Sequence, residues 1–343
     1  MDYFKKHSKL LNKYSEEIKS NIDVLKLFPE EKFIDFIECI YASTNIDSQG
    51  ESLPIEFLKQ FIEKTKTRQF YTLENHDNSK APIGRVLDCK LFYDKEDKQH
   101  FVYGITGIYD QQSLRKIREL NIEKGEFVLK FDFTKIRENY NAHLALDQYS
   151  LEKEDYHDLI NNLPSFLPRR IEDKLYKAAE PGTIITIVTS IFLLLANPFS
   201  KKILEIYGER TVQKIDEFYL FLKKHFFVKL LKRNYSRVLA EIESDYNKCQ
   251  IFLAIDNSQA NNLEYAIDTI PEAAASACNF IDKILDYEPT KICFVFKSDQ
   301  NKWIPEYIIT RKKGIIIDTP RLLILEKYKG MSIGGSRGEI EIM

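Results

Sequence analysis

His76 is the residue of this 343-residue chain whose type and setting best suit acid–base chemistry. It precedes Asp77 and is followed by Pro82-Ile83-Gly84, where a proline and a glycine set the backbone. A histidine acts as general base only with a nucleophile within hydrogen-bond reach, and usually with an acid that fixes its tautomer. Asp77 is adjacent, but successive residues of an extended segment face opposite sides, so it orients His76 poorly. A serine with a suitable neighbourhood stands at the other end of the chain. In the run EKYKGMSIGGSRGEIEIM, Ser332 lies within Gly-Met-Ser-Ile-Gly-Gly, and Glu339 or Glu341 follows as a carboxylate. His76, Ser332 and Glu339 would form a hydrolase triad if the fold returned the tail beside the histidine. The same residues have a plainer explanation. His76 then bonds nearby backbone in a loop, and Gly330, Gly334, Gly335 and Gly338 make a flexible terminal segment.

The elements that must position these groups fall into three stretches. Residues 2–41 carry helical periodicity, with Leu10, Leu11, Tyr14 and Ile18 on one stripe and Phe33, Phe36, Ile37 and Ile40 on another. Pro29, Glu30 and Glu31 suit the first turn of the second of these helices. Pro54 opens a further helix from Ile55 to about Lys66. VLDCKLFYD, HFVYGITGIY and EFVLKFDF then read as antiparallel strands, with Val86 to Cys89 and Phe101 to Ile108 neighbours across the DKEDK turn. A short helix at about Gln112 to Leu120 interrupts them. The first domain is thus predicted over residues 1–140, as helices followed by a β-rich unit.

Residues 141–232 are predicted to be a helical connector that includes a buried apolar helix within PGTIITIVTSIFLLLANPFS, residues 181–200. Residues 233–343 are predicted to form an α/β domain with a glycine-rich tail. There the strand CQIFLAIDN is followed by a helix from about Ala260 to Tyr287 and by the strands KICFVFKS, WIPEYIITR and GIIID. The fold class expected for the chain is α+β.

The segment from Tyr41 to Gly84 carries T-x-x-D-x-x-G-E at Thr44, Asp47, Gly50 and Glu51, and places His76 ahead of Pro82-Ile83-Gly84. Over roughly residues 39–110 this resembles the phage prohead (capsid-maturation) serine protease fold. The resemblance implies that His76 is the catalytic histidine, and it puts the nucleophile within KGEFVLKFDF. No serine, cysteine or threonine stands there before Thr134, and Lys130 or Phe131 occupies the nucleophile's place. The resemblance therefore implies a degenerate protease fold, unless Ser332 supplies the nucleophile. The C-terminal half, by its layout, looks like accessory and adaptor modules of bacterial antiphage conflict systems. Together the two resemblances imply a non-catalytic sensor or adaptor that binds a protein partner, either a phage assembly protein or a defence effector.

Composition narrows the remaining classes. Lys+Arg 50 against Asp+Glu 52 gives a formal charge of −2, so no global basic field marks a dedicated nucleic-acid binder. Cys39, Cys89, Cys249, Cys278 and Cys293 are widely spaced and contain no C-x-x-C pair, as expected of buried free thiols in a reducing, cytoplasmic setting. GMSIGGSRG lacks the Gly-Lys-Ser/Thr ending of a phosphate-binding loop, His143 and His157 have no third metal ligand nearby, and no cofactor is expected. Lys223, Lys224, Lys229, Lys232, Arg233 and Arg237 read as the solvated face of an amphipathic helix or as a phosphate-binding patch. Trp303 reads as packing in a hairpin. One alternative class remains, a membrane-acting effector that uses the uncharged residues 183–196.

Overall fold

In a computed structural model the chain is α+β, with helices and sheets both contributing. The structure describes residues 7–45, 52–67, 70–73, 79–120, 143–146, 171–173, 183–188, 238–256 and 263–318, with single helical residues at 154, 157, 161, 217 and 220. These fall into two compact units, one of described residues up to Leu114 and one from Arg115 to Asp318.

The first unit is a four-stranded antiparallel sheet in the order β1-β4-β3-β2. The strands are β1 (Phe33–Ser43), β2 (Tyr71–Thr72), β3 (Gly84–Asp94) and β4 (Gln99–Tyr109). Helix α1 (Ser8–Ser20), followed by the short α2 (Ile22–Leu25), covers one face, and α3 (Ile55–Thr67) covers the other. Alternate residues of β4 serve the two faces. Phe101, Tyr103 and Ile105 pack with Leu11, Tyr14 and Ile18 of α1, whereas Val102 packs with Leu58 and Phe61 of α3. A strand covered on both faces has no reason to alternate apolar with polar residues, and β4 is accordingly buried from Phe101 to Tyr109. The pairing of Val86–Cys89 with β4 across the charged turn is as the sequence predicts.

β1 overturns a helix expectation. Phe33, Phe36 and Ile40 follow helical spacing, yet they lie in a strand and all pack on the α1 side. The register shift between Phe33 and Asp35 explains this, since Phe36 and Ile40 then share a face by ordinary alternation; a second shift follows between Ile40 and Ala42. An extra residue at a bulge resets the two-residue alternation, so side chains three apart can share a face. A third bulge in β3, at Leu87, likewise puts Leu87 against α1 while Asp88 accepts a bond from Tyr14 Oη at 2.7 Å.

The second unit is an eight-stranded mixed sheet in the order β12-β11-β10-β9-β8-β7-β5-β6. Its strands are β5 (His143–Leu146), β6 (Ile171–Asp173), β7 (Thr183–Val188), β8 (Val238–Tyr246), β9 (Cys249–Asp256), β10 (Pro289–Lys297), β11 (Lys302–Thr310) and β12 (Gly314–Ile317). β9 and β10 are parallel, joined through α4 (Leu263–Asp268) and α5 (Ile270–Lys283), and β10, β11 and β12 follow as antiparallel hairpins. This is the strand–helix–strand order expected of the last hundred residues. α5 lies on one sheet face, where Phe280 meets Phe294 edge-on at 5.9 Å. Buried Ala273, Ala274 and Ala277 lie in the same helix. Trp303 is packing, as expected. It meets Phe296 at 5.6 Å and donates from Nε1 to Thr269 Oγ1 at 3.0 Å, at the junction of α4 and α5.

Of the buried apolar helix expected within residues 181–200, residues 183–188 are instead the strand β7, and the rest lies outside the described residues. Thr183, Ile184, Ile185, Thr186, Ile187 and Val188 are six β-branched residues in succession, stiff at χ1 and better suited to a pleated strand than to a helix. β7 pairs with β5 and with β8, so the predicted helical connector contributes three strands to the sheet of the second unit. Among the described residues no helix is long and apolar enough to cross a membrane.

Gly104 holds the first unit's centre. A Cβ there would overlap the Asp88 carbonyl oxygen and stand 2.6 Å from Cys89 Cβ and 2.8 Å from the Tyr41 ring. Gly104→Ala should therefore lower stability by about 1–3 kcal/mol, measured by urea unfolding. An unchanged midpoint would refute that tight packing.

Candidate functional site

The most enclosed charged cluster among the described residues joins Arg85 of β3 to Glu31, in the segment between α2 and β1. Arg85 Nε donates to Glu31 Oε1 at 2.6 Å and Nη2 donates to Oε2 at 2.9 Å, a two-pronged pair. Their side chains are 5% and 0% exposed. Nη2 also donates to the Leu25 carbonyl and Nη1 to the Val86 carbonyl at 3.2 Å, while the Leu27 amide donates to Glu31 Oε2 at 2.9 Å. The Phe33 ring sits 5.7 Å from the guanidinium and stacks on Tyr109 at 5.4 Å. Burial works against the Arg85 charge, but the bonds and attraction from Glu31 hold its pKa above the ordinary value. Tyr71 and Tyr109 are pushed up by burial and by the negative field of Glu31, so both stay protonated.

A second cluster lies where α1 crosses the sheet. Glu38 accepts from Ser15 Oγ at 2.6 Å, from Tyr103 Oη at 2.7 Å and from Lys19 Nζ at 3.4 Å. Burial alone would raise its pKa, but the Ser15 and Tyr103 bonds outweigh that, and Glu38 lies below the usual carboxylate value. At the far end of the helix, His7 Nε2 meets Asp94 Oδ2 at 3.0 Å, and Asp94 Oδ1 accepts the Glu96 amide at 2.9 Å. Each cluster fastens one element to another.

All five cysteines are buried free thiols. Burial pushes Cys39 up to about 12 and Cys89 up to about 11, so neither is a thiolate nucleophile near neutral pH. Among the described residues no group of three His, Cys, Asp or Glu could hold a metal ion. In the second unit, Lys291 is buried with its ammonium 4.0 Å from the Phe252 ring centroid and 5.7 Å from that of Tyr307, an aromatic setting that favours the cation.

His76, Ser332 and Glu339 all lie outside the described residues, as do Asp77, Glu341, Lys130, Phe131 and the basic residues from Lys223 to Arg237. His143 opens β5, and His157 is helical and exposed. Sequence reasoning missed the role of Glu31, which it assigned to a helix start, and passed over Arg85. β3 also carries Asp88, Lys90 and Asp94, so nothing in the local sequence set Arg85 apart as the buried charge. No family model, curated protein or solved structure matches this chain.

Removing one member of a buried pair strands the other. Arg85→Met or Glu31→Leu alone should each cost about 3–5 kcal/mol in urea unfolding, and the double variant Arg85→Met/Glu31→Leu should cost clearly less than their sum. Glu38 gives a pH prediction. Its folded pKa is depressed, so its contribution is full above the unfolded value and is lost as pH falls through the folded one. Stability measured from about pH 6 to about pH 3 should fall less steeply in Glu38→Gln than in the wild type.

Proposed function

We propose that this protein is a cytoplasmic, non-catalytic sensor or adaptor of a bacterial antiviral system, which acts by protein–protein contact. The observation that carries this is β1. It is an eleven-residue edge strand of the first sheet, and nearly all its residues remain at least partly exposed. Ile34 on it is 50% exposed. An edge of this length offers backbone groups and apolar side chains to another polypeptide. The ionisable groups around the same sheet are engaged in fastening its elements, as in the Arg85–Glu31 and Glu38 clusters. The resemblance of residues 39–110 to a capsid-maturation protease fold, with Lys130 or Phe131 at the nucleophile's place, supports binding over hydrolysis. The adaptor-like layout of the C-terminal half supports the antiviral setting by analogy alone.

Labelling with a fluorophosphonate probe tests the choice between adaptor and protease, because such probes capture only activated serines. The purified full chain should remain unlabelled. Labelling at Ser332 that disappears in His76→Ala would replace the adaptor with a serine protease.

A further inference from the structure

We infer that β1 is a self-association edge, on which the β1 strand of a second copy adds antiparallel about a twofold axis at Ile37. The backbone direction of β1 follows from bonds at its two ends. The Asp110 amide donates to the Lys32 carbonyl and the Thr44 amide to the His100 carbonyl, both at 2.9 Å. On the other side of β4, the Tyr109 amide donates to Ile83. Even-numbered residues of β4 therefore face β1, and their partners Asp35, Ile37 and Cys39 direct their backbone groups inward. Phe36 and Glu38, between them, direct theirs outward. The Phe36 amide confirms this, since it donates to the side chain of Asp35 at 2.8 Å and not to β4.

That pattern is self-complementary about Ile37. Centred on Ile37, Phe36 pairs with Glu38 of the second copy and Glu38 with Phe36, so outward groups meet outward groups. Side chains on the α1 face stay on that face, and the central Ile37 pair makes an apolar contact. Centring on Glu38 would oppose two carboxylates, and centring on Asp35 would do the same. A register centred on Phe36 leaves only the Phe36 pair clear of the bulge at Ile34, whereas centring on Ile37 leaves both Phe36–Glu38 pairs clear of it. In the second unit the corresponding edge is closed within the chain. Ile316 of β12 bridges to Arg115, whose carbonyl accepts the Ile317 amide at 2.9 Å. β1 has no such cover among the described residues, and its exposed donor at Phe36 is held by Asp35, which pairing would release.

This assigns an occupant to the same edge from which the adaptor function is argued, so a partner strand would compete with the second copy for β1, and the two readings are tested by separate measurements. Sedimentation equilibrium of the full chain over a wide concentration range should show a monomer–dimer equilibrium. Ile37→Lys should weaken it by about tenfold or more, because two ammonium groups would face each other. Ile37→Glu should do the same, and an equimolar mixture of the two variants should dimerise again. Asp35→Ala should strengthen the dimer, since the Phe36 amide is then free for the partner. Circular dichroism of each variant reports that the monomer is folded. A wild type that stays monomeric at every concentration, or variants that do not rescue each other, would overturn the inference. Either result leaves the adaptor standing, whereas fluorophosphonate labelling would remove the adaptor and leave the dimer.

Discussion

The first unit depends on a charge held almost wholly out of water. Arg85 lies inside the sheet's α1 face, and only Glu31, brought there by the chain between α2 and β1, neutralises it. That requirement fixes where the segment after α2 must run, hence where β1 begins and which edge of β4 it joins. A buried pair of this kind is weak evidence for net stability, since well-packed apolar residues often do as well. Its value is positional. Leu25, Leu27 and Val86 donate or accept bonds at the same two side chains, so a displaced Glu31 would leave several polar groups unmatched.

Much of this was legible in the sequence where one signal acted alone. Pro54 and the apolar spacing after it gave α3 closely, the charged turn gave the β3–β4 hairpin, and the last hundred residues gave the order of β9 to β12. The failures share a physical origin. In β1 the bulge at Ile34 converted a period of two into the Phe33–Phe36 spacing of three, which together with the ordinary four-residue spacing to Ile40 imitates a helix, and the acids before it looked like a helix start although Glu31 is a buried counter-ion. In β7 the length of the uncharged run suggested a helix, although six successive β-branched residues favour a strand. Of the candidate site, the thiols were legible as buried, whereas His76, Ser332 and Glu339 lie outside the described residues. Arg85 was not legible, because its partner is 54 residues away in sequence and no local pattern joins them.

The bulges and Asp35 act together on β1. Natural edge strands avoid indiscriminate pairing through bulges and charges, and β1 has both. The regular stretch left between its two bulges is short, which limits the partner strands that can align with it. A guarded edge of this kind suits selective contact better than aggregation, because only a partner that offers its own acceptor at Phe36 recovers what Asp35 gives up.

The position of Trp303 has a spectroscopic consequence. It is the sole tryptophan of the chain and lies in the second unit, beside Phe296 and Thr269. The first unit carries only tyrosine and phenylalanine among its aromatic chromophores, with Tyr14, Tyr71, Tyr103 and Tyr109 in its core. Emission excited at the red edge of indole absorption thus reports the α4–α5 junction alone, while the tyrosine band of the near-ultraviolet dichroism contains the first unit as well. The chain carries a separate optical reporter for one of its halves without any label.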